Sequence, residues 1–478
     1  PRRFGKSLLL STLKYFFQGR RALFAGLWVD READHDWAVH PVLHISFSEI
    51  DYQQLGLHRA LLGAVNEAAA SHGITLTQPT LALRFRELIH TLGAGPQKMV
   101  LLIDEYDKPL TDYFDDLPQA EQNRKTLKNF FSILKNADSY LRLLLITGVS
   151  KFSKVSLFSD LNNLEDLTIN PLAATLTGYT QEELEAHFTP EIDRTAQQAG
   201  MDRQGMLDHI RAWYNGYQWE VGQAVYNPFS ILNWAKSGRI RNYWWETGTP
   251  TFLLKALRDS FQFDLSEVEA GSSLFESYTL ESLDWKNLLF QTGYLTLHAY
   301  DPEVRLYTLG YPNLEVQDAM YQHLLAAYRH SVTSDTQVLY ARLKRALDAG
   351  DLETTMAQID VLFATIPYQL FEARREGFFH AILHITFQGL GLLTQSEVSR
   401  SKGRVDTVVH SRSGIYVMEF KLDESAEAAL TQIREQRYGS AYLGGEQPVI
   451  AVGVSFSSQS RTVAEWEARP YEALLAEG

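Results

Sequence analysis

The chain contains no cysteine, which removes disulfide frameworks, thiol nucleophiles and cysteine-ligated zinc from consideration together. On compartment that absence is weak evidence. No apolar stretch reaches the roughly 18 residues that a membrane-spanning helix needs, and no basic n-region followed by an apolar h-region opens the sequence. The expected location is the cytoplasm, with no membrane partner. Positive charge is scarce as well: 44 Lys and Arg against 58 Asp and Glu give a formal net charge of −14. That argues against a generally basic nucleic-acid coat, so any contact with nucleic acid has to come from local basic patches or bound metal ions. What remains is a chain of 478 residues with an ordinary hydrophobic share of 45%, long enough for roughly two to four domains.

The stretch from Met99 to Leu110, MVLLIDEYDKPL, runs five apolar residues straight into three acids. A continuous apolar run ended by charge suits a central parallel strand covered on both faces, and open α/β sheets bind ligands at the carboxyl edge of such strands. Asp104 and Glu105 then form a Walker B pair, Asp104 in a magnesium shell and Glu105 polarising a water towards a γ-phosphate. A buried strand followed by an acidic loop is the plainer alternative. The sequence opens at Pro1 inside PRRFGKS, where Gly5, Lys6 and Ser7 followed by LLLSTL match the end of a phosphate loop entering a helix. Backbone amides would cradle phosphate there, Lys6 would reach the β/γ oxygens and Ser7 would ligate magnesium. The first glycine of the full motif would fall before Pro1, and Arg2 and Arg3 fill positions often held by small residues.

HPVLHISFSEID (His40 to Asp51) and LRLLLITGVS (Leu141 to Ser150) supply two more strands, with helical patterns at Leu55 to Ala70, Thr80 to Leu92 and Glu121 to Lys135. Such alternation predicts a parallel sheet with right-handed crossovers. Thr147 takes the sensor position beside Walker B, or serves as a strand-end cap. Lys151 and Lys154 follow it on a loop that is either near phosphate or merely solvated. Thr180 to Ala212 is amphipathic and helical, a small lid, and WYNGYQW (Trp213 to Trp219) is an aromatic turn that suits packing more than base stacking. LESLDWKNLLFQTGYLTL and RLYTLGYP, joined by a turn at Asp301 to Glu303, read as a helix and a β-hairpin in winged-helix order, preferred here as a hinge. Asp335 to Ile366 reads as helical linker.

GRVDTVVHSRSGIYVMEFKL (Gly403 to Leu422) is the strongest chemical signal. Two strands joined by a tight turn carry Asp406 on the first and Glu419, Phe420 and Lys421 on the second. Alternation sets Glu419 and Lys421 on one face and Phe420 in the core. Such charges are costly to bury without a metal, and the pattern resembles the PD-(D/E)XK nucleases. In that resemblance Asp406, Glu419 and the Phe420 carbonyl hold Mg²⁺ (or Mn²⁺), and Lys421 positions water or stabilises charge on the phosphate. Upstream, Glu376, His380 and His384 recur every four residues; they read as a polar stripe, as a zinc site or, by the resemblance, as a helix with Glu376 as its acid. Glu397 is either an added ligand or an exposed strand residue. Downstream, Gln432 and Tyr438 match a Q-x₅-Y element on one helix, Arg434 and Arg437 are candidate phosphate contacts, and PVIAVGVSF is the strand expected to complete the sheet.

PRRFGKS, LLIDEYDKPL, TGVSKFSKVSLFSDLNNLEDLT, YNGY, VYNPFSIL and ETGTPTFL together resemble the bacterial and archaeal AAA-ATPase-like family whose members carry a C-terminal PD-(D/E)XK nuclease domain. The resemblance implies an α/β protein with four parts. Residues 1–178 would form an AAA-like P-loop NTPase parallel sheet, 179–334 a helical and winged-helix-like middle, 335–366 the linker and 367–478 a restriction-endonuclease-like α/β domain. It further implies the cofactors ATP and Mg²⁺ (or Mn²⁺). Catalytic residues would be Glu376, Asp406, Glu419, Lys421, Gln432 and Glu105; nucleotide would be bound by Gly5, Lys6, Ser7, Asp104 and Thr147; metal would be held by Asp406, Glu419, Phe420, Ser7 and Asp104. The partner would be nucleic acid, DNA before RNA, with a homo-oligomer left open. The leading expectation is an ATPase module controlling a metal-dependent nuclease. The alternatives are a signalling scaffold that only binds nucleic acid and a nuclease independent of ATP.

Overall fold

The computed structural model describes residues 1–31, 35–149, 158, 161, 163–244, 254, 257, 265–275, 285–329, 331–366, 375–394 and 407–477. The chain divides into two compact units, one of residues 1–244 with 266–313 and the other of 245–265 with 314–478. Among the described residues no helix is long and apolar enough to cross a membrane.

The first unit is built on a three-stranded parallel sheet of β1 (Val42–Ser46), β2 (Met99–Asp104) and β3 (Leu141–Ile146), with β2 in the centre. Every residue of β2 is buried, which is why its sequence is apolar without alternation. Helix α1 (Lys6–Phe17) lays Leu10 and Phe17 on Val42, Val100 and Leu102. The helices α2 (Leu57–Ser71), α3 (Leu81–Gly93) and α4 (Leu117–Ser132) form the crossovers, and Phe85 of α3 stacks on Phe130 of α4 with ring centres 4.1 Å apart. Asp104 continues the side of β2 that carries Val100 and Leu102 and so faces α1, because strand residues two apart share a face.

Beyond the sheet come α5 (Gln181–His187), α6 (Thr189–Ala199) and α7 (Arg203–Tyr214), then a short ribbon of β4 (Tyr217–Gln218) and β5 (Ala224–Val225), then α8 (Pro228–Ser237). Capping explains three of the helix starts: Thr180 and Glu183 form a reciprocal capping box on α5, and Asp202 and Asn227 cap α7 and α8. Helix α9 (Trp285–Thr292) precedes the hairpin of β7 (Thr296–Asp301) and β8 (Leu306–Gly310), as the sequence order suggested. A short strand the sequence did not announce, β6 (Val268–Ala270), pairs antiparallel with β8.

The second unit holds α10 (Leu314–Arg329), α11 (Thr333–Asp348), α12 (Leu352–Ala364) and α13 (Arg375–Thr394). Its sheet consists of β9 (Thr407–His410), β10 (Ile415–Leu422), β11 (Val449–Phe456) and β12 (Val463–Pro470) in the order β12-β11-β10-β9. Strands β10 and β11 are parallel, whereas both edge pairs are antiparallel. Helices α14 (Ala426–Glu435) and α15 (Tyr471–Ala476) cover one face through Leu430, Ile433, Tyr471 and Leu474. On the other face Phe420 stacks on Phe387 of α13, and Phe456 meets Phe363 of α12 and Phe379 of α13. The stretch 335–366 thus packs into this unit as α11 and α12, and Asp360 accepts the Val463 amide of β12 at 2.6 Å.

PVIAVGVSF forms β11 but does not complete the sheet, because β12 adds an edge beyond it. VAEWEARP carries charge and a proline and has no fully buried residue, the composition of an edge strand and a weak strand signal. The helix expected to run through Tyr438 ends at Glu435. Arg437 is left-handed at φ 53, and the Tyr438 amide bonds back to the Ile433 carbonyl at 3.2 Å, a C-terminal closure of the Schellman kind.

Candidate functional site

At the carboxyl edge of β2, Asp104 is 3% exposed and accepts a hydrogen bond from the Thr147 hydroxyl at 2.5 Å. The turn after it is held to the end of β3 throughout. The Thr147 amide donates to the Ile103 carbonyl, the Tyr106 amide donates to the Thr147 carbonyl, and both oxygens of Asp107 accept the Val149 amide at 3.0 and 3.2 Å. Gly148 lies where a Cβ would press on the Asp107 carboxylate and the Tyr106 ring. Glu105, between these fixed points, is left-handed at φ 52 and half-buried. A residue with a Cβ is disfavoured there by roughly 1–2 kcal/mol, so the flanking bonds impose the turn. Asp107 is a residue whose part the sequence did not disclose: DEYD shows an acid, but not that its oxygens strap the neighbouring strand.

Gly5 is left-handed at φ 82 and stands at the N-cap of α1 with no side-chain cap, so the first amides of the helix are left for another acceptor. Lys6 donates to the Pro1 carbonyl. Burial pushes the Lys6 ammonium down from its usual range, opposed by the attraction of Asp107, then Asp104 and Glu105. Those three carboxylates all belong to the DEYD turn, so its field acts on the lysine of the GKS turn. Ser7 is exposed. Of the loop lysines Lys151 and Lys154 nothing follows, since both lie outside the described residues.

In the second unit Glu419 is 2% exposed and lies opposite Gly453 of β11. A Cβ at Gly453 would run into the Ala426 carbonyl of α14 and lie 2.9 Å from Leu430 Cγ. Its absence lets α14 close down on the face that holds Glu419 and Lys421. The Lys421 Nζ lies 3.6 Å from Glu419 Oε1 and donates to Gln432 Oε1 at 2.5 Å, and Gln432 Nε2 donates to the Tyr438 hydroxyl at 3.4 Å. Phe420 points to the opposite face and is buried. The first turn of α14 is fixed by Ser425, which accepts the Ala428 amide, and by Glu465 of β12, which accepts the Ala426 amide at 2.6 Å.

Glu376 and His380 lie on α13, but their side chains, like all of Glu397 and Asp406, fall outside the described residues; His384 is half-buried. Strand β9 is described from Thr407, the residue after Asp406, which pairs with Met418. Among the described residues no three His, Asp or Glu side chains gather as a metal cluster. The donors that are present, a buried carboxylate at Glu419 and carboxylate plus hydroxyl at Asp104 and Ser7, are all hard oxygen donors. They suit Mg²⁺ or Mn²⁺ by chemical type.

Comparison with known proteins gives the family. A family model described as Predicted AAA-ATPase matches residues 1–158, and one described as PD-(D/E)XK nuclease superfamily matches residues 374–466. A protein of Azotobacter chroococcum mcd 1, described as "Uncharacterized protein in vnfD 5'region", is 40% identical over 483 residues, covering 97% of this chain and 90% of the relative. The chain belongs to the AAA-ATPase-like family with a C-terminal PD-(D/E)XK nuclease superfamily domain. The ATPase-like match ends beyond Thr147 and the nuclease match spans Glu376 to Glu465, so each matched region contains one of the two clusters described above. No solved structure matches the chain.

Proposed function

We propose that this chain is a cytoplasmic nuclease controlled by ATP, with an ATPase-like core over residues 1–178 and a phosphodiesterase domain over 367–478. The observation that carries the proposal is the Lys421 ammonium, held between a buried carboxylate and the Gln432 amide oxygen. A lysine fixed in this way holds its ammonium at one point, where it would hold a phosphate oxygen or steady the attacking water. Gln432 orients Lys421, and Tyr438 orients Gln432. Asp406, Glu419 and the Phe420 carbonyl would hold Mg²⁺ or Mn²⁺, with Glu376 as the acid from α13. When bound, the cation polarises the phosphodiester and lowers the pKa of water. The local cation and Lys421 account for nucleic-acid binding by a chain of formal charge −14.

In the ATPase-like module, the amides after Gly5 and the Lys6 ammonium would take the phosphates of ATP, with Ser7 and Asp104 towards magnesium. Thr147 fixes the rotamer of Asp104, and Glu105, held in its left-handed turn, would orient the attacking water. The α9 helix and its hairpin serve in this proposal as a winged-helix-like hinge. The test is to incubate the protein with single-stranded, duplex and branched DNA and with RNA, with Mg²⁺ or EDTA, with and without ATP, beside Asp406→Ala and Lys421→Ala. Metal-dependent cleavage lost in both variants and changed by ATP is the expected result. Cleavage that survives both substitutions would remove the active-site assignment, and equal cleavage with and without ATP would remove the control.

A further inference from the structure

Backbone amides approach phosphate closely in a phosphate loop, which favours small residues along it. Here Arg3 and Phe4 stand directly before Gly5, and both side chains leave the loop for the helical segment that follows the sheet. The Phe4 ring is 2% exposed and meets Tyr217 edge-on at 4.8 Å and Trp219 at 5.7 Å. The Arg3 guanidinium lies 3.7 Å from the centre of the Phe229 ring and donates through Nη1 to the Tyr243 carbonyl at 2.8 Å. An arginine used for phosphate would turn its planar fork towards the oxygens. This one is stacked on an aromatic face and bonded to backbone.

The aromatic partners are themselves fixed. The Gln218 amide donates to Thr296 Oγ1 at 2.6 Å, and that hydroxyl is 3.1 Å from the Gln218 carbonyl. Gly216, at φ 108, comes so close to Pro312 that a Cβ would overlap its carbonyl. The Tyr214 hydroxyl donates to the Arg241 carbonyl at 2.8 Å and accepts the Arg241 amide at 2.9 Å, and the Tyr243 hydroxyl donates to the Arg239 carbonyl at 2.6 Å. Arg3 meanwhile is left-handed at φ 66, a backbone state that a residue with a Cβ does not hold unaided.

We propose that Arg3 and Phe4 are positioning residues that clamp the phosphate loop onto a seat made of the Tyr217, Trp219 and Phe229 rings and the Tyr243 backbone carbonyl, and that this clamp sets the affinity for nucleotide. The proposal rests on the nucleotide-binding role given above to Gly5, Lys6 and Ser7. The aromatic turn YNGYQW then serves as the anvil on which the loop is held. Because the seat acts on the shape of the loop, loosening it weakens binding of substrate and transition state alike, a change in KM with kcat preserved.

The experiment measures ATP hydrolysis by the whole chain for Arg3→Ala, Arg3→Lys, Phe4→Leu, Trp219→Ala and the Phe4→Leu, Trp219→Ala pair. KM for ATP should rise about ten-fold in Arg3→Ala and Phe4→Leu with kcat within about three-fold. Arg3→Lys should fare no better than Arg3→Ala, because an ammonium cannot stack as the guanidinium does. The double variant should lose less than the product of the singles. Wild-type affinity in Arg3→Lys, a loss confined to kcat, or multiplicative losses in the pair would each overturn the clamp. A second measurement separates the clamp from the nucleotide-binding role: hydrogen exchange of the Leu9 amide, which donates to the Gly5 carbonyl at 2.8 Å, in protein without nucleotide. Exchange about ten-fold faster in Arg3→Ala and Phe4→Leu supports the clamp even if no ATP binds. Unchanged exchange overturns it whatever the ATPase assay gives.

Discussion

Gly453→Ala perturbs the proposed nuclease site without replacing a residue that has been given a role in it. Gly453 pairs with Glu419 across β10 and β11, and its bare Cα is where α14 comes down on the sheet. The added Cβ would lie 2.9 Å from Leu430 Cγ and nearer still to the Ala426 carbonyl oxygen. A leucine side chain can turn aside, but helix backbone cannot. Helix α14 therefore has to rise by about 1 Å to restore ordinary separations of roughly 3.5 Å. Gln432 rides on that helix, so its 2.5 Å bond to Lys421 is stretched past the range of a good hydrogen bond. Overpacking of this kind costs about 1–3 kcal/mol, which is about 2–4 °C of melting temperature per kcal/mol for a unit of this size. A displacement near 1 Å costs about 10²-fold in rate when it misplaces a reacting group. The assay pairs metal-dependent cleavage of labelled DNA with thermal unfolding, and ATP binding serves as the control because Gly453 belongs to the other unit. Cleavage at the wild-type rate with an unchanged melting temperature would refute the reasoning, since α14 would then not set the position of Lys421.

The strap at Asp107 predicts that Asp107→Ala lowers stability by about 1–3 kcal/mol in urea unfolding, because the Val149 amide loses its acceptor. Asp107→Asn keeps an acceptor oxygen and should recover most of that loss; equal losses in both variants would show that charge rather than the bond matters. Thr147→Val removes the 2.5 Å hydrogen bond to Asp104 at nearly constant volume. It should cut ATP turnover by about 10–100-fold with KM changed little, and a loss seen in KM alone would contradict the role of Thr147. Burial pushes His323 of α10 down from 6.5 to about 4. The unfolded chain therefore binds the extra proton first as pH falls, and stability declines from pH 6.5 to about 4 and levels off below. After discounting for its partly exposed side chain the loss is about 2 kcal/mol. His323→Leu should flatten the pH dependence of unfolding across that window, and an unaltered slope would refute the assignment.

The central place of β2 was legible because burial on both faces leaves its mark on composition. MVLLID shows no alternation, and β2 is central with every residue buried. That Glu419 and Lys421 share a face followed from the two-residue period of a strand, and the two side chains approach to 3.6 Å. The opposite case is β12, whose edge position permits charge at exposed sites and so hides it from a reading based on hydrophobicity. Likewise β6 has three residues, too few for any period to show. Gln432 and Tyr438 were matched by spacing, but the spacing does not reveal that a left-handed Arg437, and no continuous helix, carries Tyr438 to its partner. Arg3 and Phe4 were the least legible of all. Their environment is supplied by residues more than two hundred positions away, and no local pattern encodes such a contact.

The two aspartates of LLIDEYD illustrate how packing divides chemistry between residues of one type. Asp107 is 2% exposed and both of its oxygens engage the Val149 amide, so replacing it disturbs a backbone register. Asp104 is buried to the same degree, yet one of its oxygens is oriented by a neutral hydroxyl that fixes direction without cancelling charge. The same device recurs in the second unit, where the shorter bond of Lys421 goes to the neutral Gln432 oxygen at 2.5 Å and the Glu419 carboxylate stands at 3.6 Å. A close ion pair would satisfy both charges internally and leave less field for a ligand, whereas a neutral orienting partner holds the charge in place and preserves it. Within the proposed function that would leave Asp104 and Lys421 to act on phosphate in their respective units, and Asp107, for all its place in the motif, to hold the sheet edge on which Asp104 depends.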